Sequence, residues 1–182
     1  MSGLDVLAAR IAAAAAARDS PPHVVAIDGC GGAGKSTLAT ALAARLSDPP
    51  LVPTDHFASW EDQFGWWPRF LEEVLGPLTR GDRVRYRRYD WDRRRLDGWI
   101  ALPEHPAIVV IEGVGAVRRE FDPHLSFRIW VDAPPELRLR RGLERDGAAA
   151  RPLWERWMAA EDEYVRQQDP RSRADAVVSG AE

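Results

Sequence analysis

The chain holds one cysteine and, among 25 basic side chains, one lysine. A lone cysteine, Cys30, cannot close an internal disulfide, so nothing in the sequence requires an oxidising compartment. Long apolar runs are absent. The alanine-rich opening is too short and too broken by charge to be expected to span a membrane. It lacks the basic start of a secretory signal, and a cytoplasmic location is expected. Charge of one sign is also scarce: a net value of −3 argues against a general nucleic-acid binder and requires no acidic membrane as partner. At 182 residues, 45% hydrophobic and 29% charged, the chain suits one globular domain. That domain is expected over 1–182, with a first helix over 3–18 and the core from 23 onward.

What is present centres on the single lysine. Gly29-Cys30-Gly31-Gly32-Ala33-Gly34-Lys35-Ser36-Thr37 reads G-x-x-x-x-G-K-S, between an apolar run ending at Ile27 and a helical run from Lys35 to Leu46. That is the strand–loop–helix setting of a phosphate-binding P-loop. Glycines let the loop turn its N–H groups around an anion, and the helix start adds its positive end. Lys35 supplies a compact charge for outer phosphates, and Ser36 a hard oxygen for magnesium. Cys30 itself is read as a small residue whose backbone is what counts.

Further apolar runs predict strands at Leu51–Thr54, Ala107–Ile111, Phe127–Val131 and Asp175–Val178. Ser2 and Asp5 predict a capping box for the first helix, which Asp19-Ser20-Pro21-Pro22 should stop. Other helices are expected from about Trp60 to Leu75, Pro135 to Glu144 and Pro152 to Gln168. Strands alternating with helices predict an α/β fold, a three-layer sandwich around a mostly parallel five-stranded sheet. Ligands in such sheets lie beyond the strands' carboxyl ends, where Gly29, Asp55, Glu112 and Asp132 fall.

Asp55 suits a base for an attacking hydroxyl or a magnesium ligand, and equally a helix N-cap. Glu112 suits a carboxylate holding magnesium or its water, and otherwise a solvated strand end. Arg138 to Arg145 gathers guanidinium groups beside Gly147. They suit a lid closing on a transferring phosphoryl group, or a solvated helix face. The run Arg80 to Arg95 carries eight arginines among Tyr86, Tyr89, Asp90 and Trp91. It reads as an extended substrate-covering hairpin or a solvated surface, with Tyr86, Tyr89 and Asp90 as candidates for acceptor binding.

In order, the P-loop, Thr54-Asp55-His56-Phe57, Arg87-Arg88-Tyr89-Asp90-Trp91, Val110-Ile111-Glu112-Gly113 and Arg140-Arg141-Gly142-Leu143-Glu144-Arg145-Asp146 resemble the uridine kinase-like branch of P-loop kinases. The resemblance runs from about Val24 to Val178. His56 departs from it, standing where that branch usually has a second aspartate or a serine. The resemblance implies a P-loop kinase fold, magnesium–ATP as donor, and Asp55 as the acid taking the acceptor hydroxyl's proton. It implies Glu112 in the magnesium shell, Tyr89 and Asp90 near the acceptor, and Arg141 and Arg145 in a lid of about 141–153. The acceptor it implies is a nucleoside, uridine- or cytidine-like, or a similar metabolite. A sugar, vitamin precursor or antibiotic is the alternative, and a nucleotide-binding regulatory module a reading of another class. No nucleic-acid or membrane partner is expected; a homo-oligomer is compatible with the chain.

Overall fold

The computed structural model describes residues 2–18, 20–59 and 61–181. In chain order the elements are α1 (Gly3–Ala16), β1 (His23–Asp28), α2 (Lys35–Ala43), β2 (Leu51–Pro53) and α3 (Trp67–Phe70). A π-helical turn (Leu71–Leu75), α4 (Gly76–Arg80), the strands β3 (Arg85–Asp90) and β4 (Arg95–Ala101), and β5 (Ile108–Glu112) follow. The chain closes with β6 (Leu125–Asp132), α5 (Pro135–Asp146), α6 (Arg151–Gln168) and β7 (Ala176–Ser179).

Five strands form one sheet in the order β2-β5-β1-β6-β7, with each pairing parallel. Both faces are covered, so β1 and β5 carry unbroken apolar runs, Val24–Ile27 and Ile108–Ile111, rather than alternating. On one face Val24, Ala26, Val109 and Ile111 pack with Phe70, Val74 and Phe121. On the other, Val25, Ile27, Val110 and Ile129 pack against Leu7, Ile11, Leu38 and Leu42 of α1 and α2. The period-2 alternation of strand side chains therefore makes three layers out of unbroken runs.

Local chemistry explains the boundaries. The Ser2–Asp5 capping box forms, Asp5 N–H donating to Ser2 Oγ at 3.2 Å and Ser2 N–H to Asp5 Oδ2 at 2.9 Å. The expected stop at Asp19 and the expected helix start at Trp60 lie outside the described residues. Residues 61–66 form turns, and helix begins only at Trp67. It continues past Leu75 because the chain widens by one residue there: Gly76 N–H reaches back to Leu71 O. Such a π turn accommodates Pro77, which cannot supply an N–H of its own.

The arginine-rich segment is not irregular. β3 and β4 form an antiparallel ribbon in which Tyr86 faces Ile100 and Arg87 faces Trp99, with a bulge between Arg87 and Arg88. Strict alternation would send Tyr86 and Tyr89 to opposite faces. In the ribbon both are buried, while Arg85, Arg87 and Arg88 are exposed; the extra residue of the bulge is Gly98 of β4, at φ 67°.

Candidate active site

The glycines of the P-loop are needed for space as much as for dihedrals. Gly34 has φ 99° and Gly32 φ 76°, left-handed values that a side chain disfavours. A Cβ on Gly32 would also stand 2.5 Å from the Arg138 carbonyl oxygen. Lys35, 8% exposed, donates from Nζ to Cys30 O at 3.1 Å, so its ammonium is folded over the loop it would serve. The Cys30 thiol is buried, and that burial pushes it up to about 12.

A cleft of ≈ 720 Å³ opens over this loop at the strands' carboxyl ends. Gly31, Gly32, Gly34, Lys35, Ser36 and Thr37 form its floor. Asp55, Glu112, Arg141 and Arg145 join them on the walls. Gly29 and Ala33 are not among the lining residues. Gly29 packs against Val131, and Ala33 is fully buried with its N–H on Cys30 O.

Glu112 ends β5 and accepts from Ser36 Oγ at 3.2 Å. Burial pushes its carboxyl up, and Lys35 pulls it back. Asp55 sits in the 3-10 turn after β2, exposed to the cleft. It makes no cap bond, its backbone oxygen accepts from Trp91 Nε1 at 3.0 Å, and its carboxylate accepts no hydrogen bond from a described residue. Two carboxylates and a hydroxyl beside a phosphate cradle fit magnesium, which keeps several waters and needs only one or two protein acids.

The segment expected as a loose lid is helical almost throughout. α5 runs to Asp146, Ala148–Ala150 make one 3-10 turn, and α6 starts at Arg151. Arg141 is half-buried and committed to backbone: its Nη1 donates to Gly32 O at 3.2 Å and to Gly180 O at 2.7 Å. Arg145 is exposed and forks onto Asp146, at 2.8 and 3.0 Å, with its guanidinium 5.5 Å from the Trp154 ring centre. That fork holds the Asp146 carboxyl below its ordinary value.

Three candidates lie away from the cleft lining. Tyr86 is fully buried, its hydroxyl 3.1 Å from His56 Nδ1 and its ring 5.0 Å from Phe57. Tyr89 is buried and donates to Glu61 at 3.3 Å. Asp90 accepts the Arg93 N–H at 2.8 Å, closing the ribbon's turn. Both tyrosines are buried, and the ribbon's residue on the cleft wall is Trp91, beside Trp154 and Trp157 of α6.

Two buried acids went unread in the sequence. Asp28, fully buried, ties the loop's first residue to the turn after β5 and to α6. It accepts from Gly29 N–H at 2.7 Å, Gly115 N–H at 3.0 Å, Val117 N–H at 2.8 Å and Tyr164 Oη at 2.5 Å. Burial raises its carboxyl, and these donors limit the rise. Glu161 accepts from Gly31 N–H at 2.6 Å and pairs with Arg138 at 3.0 Å. Burial raises its carboxyl too, against the pull of Gly31 N–H, Lys35 and Arg138. A signal existed for Glu161: it falls in the helical stripe Trp154, Trp157, Tyr164, where an acid needs a partner.

Comparison with known proteins places this geometry. The family model described as Phosphoribulokinase / Uridine kinase family matches residues 67–180. A cytidylate kinase of Natronomonas pharaonis is 31% identical over 125 residues, 68% of this chain. The chain spans 58% of that relative's length. Two solved structures share the fold. A protein of Bacillus stearothermophilus provisionally named a uridine kinase has TM-score 0.71 and 21% identity, over 96% of both chains. A provisionally named fructose transport system kinase of Silicibacter sp. TM1040 has TM-score 0.75 and 22% identity, over 97% of this chain and 99% of its own. A P-loop ending the central strand, an acid closing the neighbouring strand and the extent of the family match agree: the chain belongs to the phosphoribulokinase/uridine kinase family.

Proposed function

We propose that the protein transfers the γ-phosphoryl group of ATP, with magnesium, to a hydroxyl of a nucleoside, uridine- or cytidine-like, or of a similar small metabolite. The observation that carries this reading is Asp55. Its carboxylate faces the cleft, is spoken for by no cap or described donor, and lies across from the phosphate loop. A free acid there can accept the proton that an attacking hydroxyl loses. A nucleotide sensor needs no such group.

The remaining roles follow from what each side chain can reach. Lys35 exchanges the Cys30 carbonyl for a phosphate oxygen, and the loop's N–H groups orient the chain of phosphates. Ser36 and Glu112 would hold the metal, with Asp55 in reach of its shell. Bound magnesium neutralises charge on the phosphoryl oxygens. Arg145 leaves Asp146 to meet the transferring group, while Arg141, tied to Gly32 and Gly180, keeps the base of α5 in place.

A second reading draws on the cytidylate kinase relative: the acceptor is then cytidylate and the nucleophile a phosphate oxygen, which needs no base. ADP release from ATP separates the two, measured against nucleosides, cytidylate, sugars and vitamin precursors. Turnover with a hydroxyl acceptor that is lost in Asp55→Asn supports the first. Turnover with cytidylate that survives in Asp55→Asn supports the second. Absence of ATP binding in calorimetry sinks both.

A further inference from the structure

Two consecutive P-loop residues are gripped by helices from the far end of the chain. Gly31 N–H donates to Glu161 Oε1 of α6 at 2.6 Å, and Trp157 Nε1–H reaches the same oxygen at 2.8 Å. Arg138 Nη1 of α5 donates to the other oxygen, Oε2, at 3.0 Å. Gly32 O accepts from Arg141 of α5 at 3.2 Å. The Gly31–Gly32 segment is therefore held by α6 through one residue and by α5 through the next. The Arg138–Glu161 pair ties those two helices together at the same point.

Stability alone accounts poorly for this pair. Both side chains are nearly inaccessible, Glu161 at 0% and Arg138 at 5%, and a buried ion pair is commonly no better than an apolar pair of the same volume. Glu161 lies outside the cleft lining, so it touches no substrate in the reading above. Its partners, however, are the phosphate loop on one side and, on the other, the helices that carry Arg145, Trp154 and Trp157 to the cleft. A shift of Gly31 on phosphate binding moves the donor to Glu161 and, through Arg138, bears on α5. By linkage, closure of the helices must bear equally on the loop.

We infer that Glu161, with Arg138 as its partner, is a positioning residue that couples phosphate occupancy of the P-loop to the α5–α6 hairpin. The inference rests on the kinase reading only in taking a nucleotide's phosphates as the loop's ligand.

Hydrogen–deuterium exchange on the full chain, with and without magnesium–ADP, tests it without any acceptor. In the wild type, nucleotide should slow exchange both in the P-loop and at the hairpin tip, residues 145–153. Glu161→Gln keeps an acceptor for Gly31 but turns an amide N–H toward Arg138. P-loop protection should persist there, while nucleotide-dependent protection of the tip falls by about fivefold or more, the lower end of site-to-site coupling. Arg138→Met should lose the same protection, and Arg138→Lys should retain part of it. The double variant should lose no more than the worse single one, because one link is broken in each. Should Glu161→Gln fail to fold, Trp157→Phe removes one donor from the same oxygen without stranding a charge, and a smaller loss at the tip is expected. Full tip protection in these variants, with only a lowered melting temperature, would reduce the pair to a structural one and leave the kinase reading intact. A wild type that binds no magnesium–ADP in calorimetry overturns the reading and the inference together.

Discussion

At the scale of single residues, the proposed chemistry rests on a few side chains whose surroundings the structure specifies. Asp55 is exposed, and its carboxylate accepts no hydrogen bond from a described residue, as the proposed base requires. Asp55→Asn should lower kcat by about 10²-fold or more on a hydroxyl acceptor, the usual scale for a positioned base. Nucleotide affinity, read by calorimetry, should change far less. Arg145 donates two parallel bonds to Asp146, a geometry that an ammonium cannot reproduce. Arg145→Lys should therefore lose about 10²- to 10³-fold in kcat, the scale for one preorganised transition-state donor, despite keeping the charge. Steady-state kinetics showing full activity would return Arg145 to a solvated helix face. Their places at a strand end and a helix end were legible from sequence, because each is set by a pattern of short range. Tyr86, Tyr89 and Asp90 lie outside the cleft lining, since what a ribbon strand buries depends on the packing of the whole ribbon against the domain.

At the scale of elements, the α5–α6 hairpin is the part whose packing differs most from a flexible lid. Gly142 of α5 lies flat on the Trp154 indole of α6, and a Cβ there would run into the ring. The absence of a side chain lets the two helices approach, and Trp154 Nε1 then reaches Asp146 at 2.9 Å. Gly142→Ala should separate the helices and destabilise the fold by about 1–3 kcal/mol, the usual range for overpacking a well-filled site. Urea unfolding checks this. The better helix propensity of alanine opposes the loss by at most about 1 kcal/mol, so unchanged or raised stability would mean that the hairpin yields without strain. Nothing in the local sequence around Gly142 marks it as a packing glycine. Its partner is twelve residues away on another helix.

At the scale of the molecule, Asp28 joins β1, the turn after β5 and α6 through four donors in a dry environment. Asp28→Asn can accept through only one of the two oxygens and turns an N–H toward existing donors. It should destabilise the fold by about 1–3 kcal/mol or more, the cost of a stranded buried donor. The sign of its pH dependence follows from the raised folded value. A carboxyl whose folded value exceeds its unfolded one contributes stability that is full below the ordinary aspartate value of 3.8 and is lost as pH rises through the folded value. The stability gap between wild type and Asp28→Asn should therefore narrow from acid toward neutral pH, as followed by thermal unfolding at a series of pH values. A gap that widens would show a carboxyl depressed by its donors.

What the sequence by itself determined is the part carried by short-range patterns. The apolar runs placed five strands, their alternation with helices made the sheet parallel, and glycine spacing with one lysine located the phosphate loop. Asp55 and Glu112 came with them, because the end of a parallel strand is defined along the chain before any tertiary contact forms. Tertiary structure alone decided the rest. Gly31 meets an acid 130 positions away, and Asp28 meets a tyrosine 136 positions away. Arg141 reads as a lid residue in sequence and is instead held by the backbone of Gly32 and Gly180. Such pairings depend on which helix packs over which strand end, and on burial strong enough that each acid must find its donors. That selection is made by the whole fold and leaves no periodic trace in the chain.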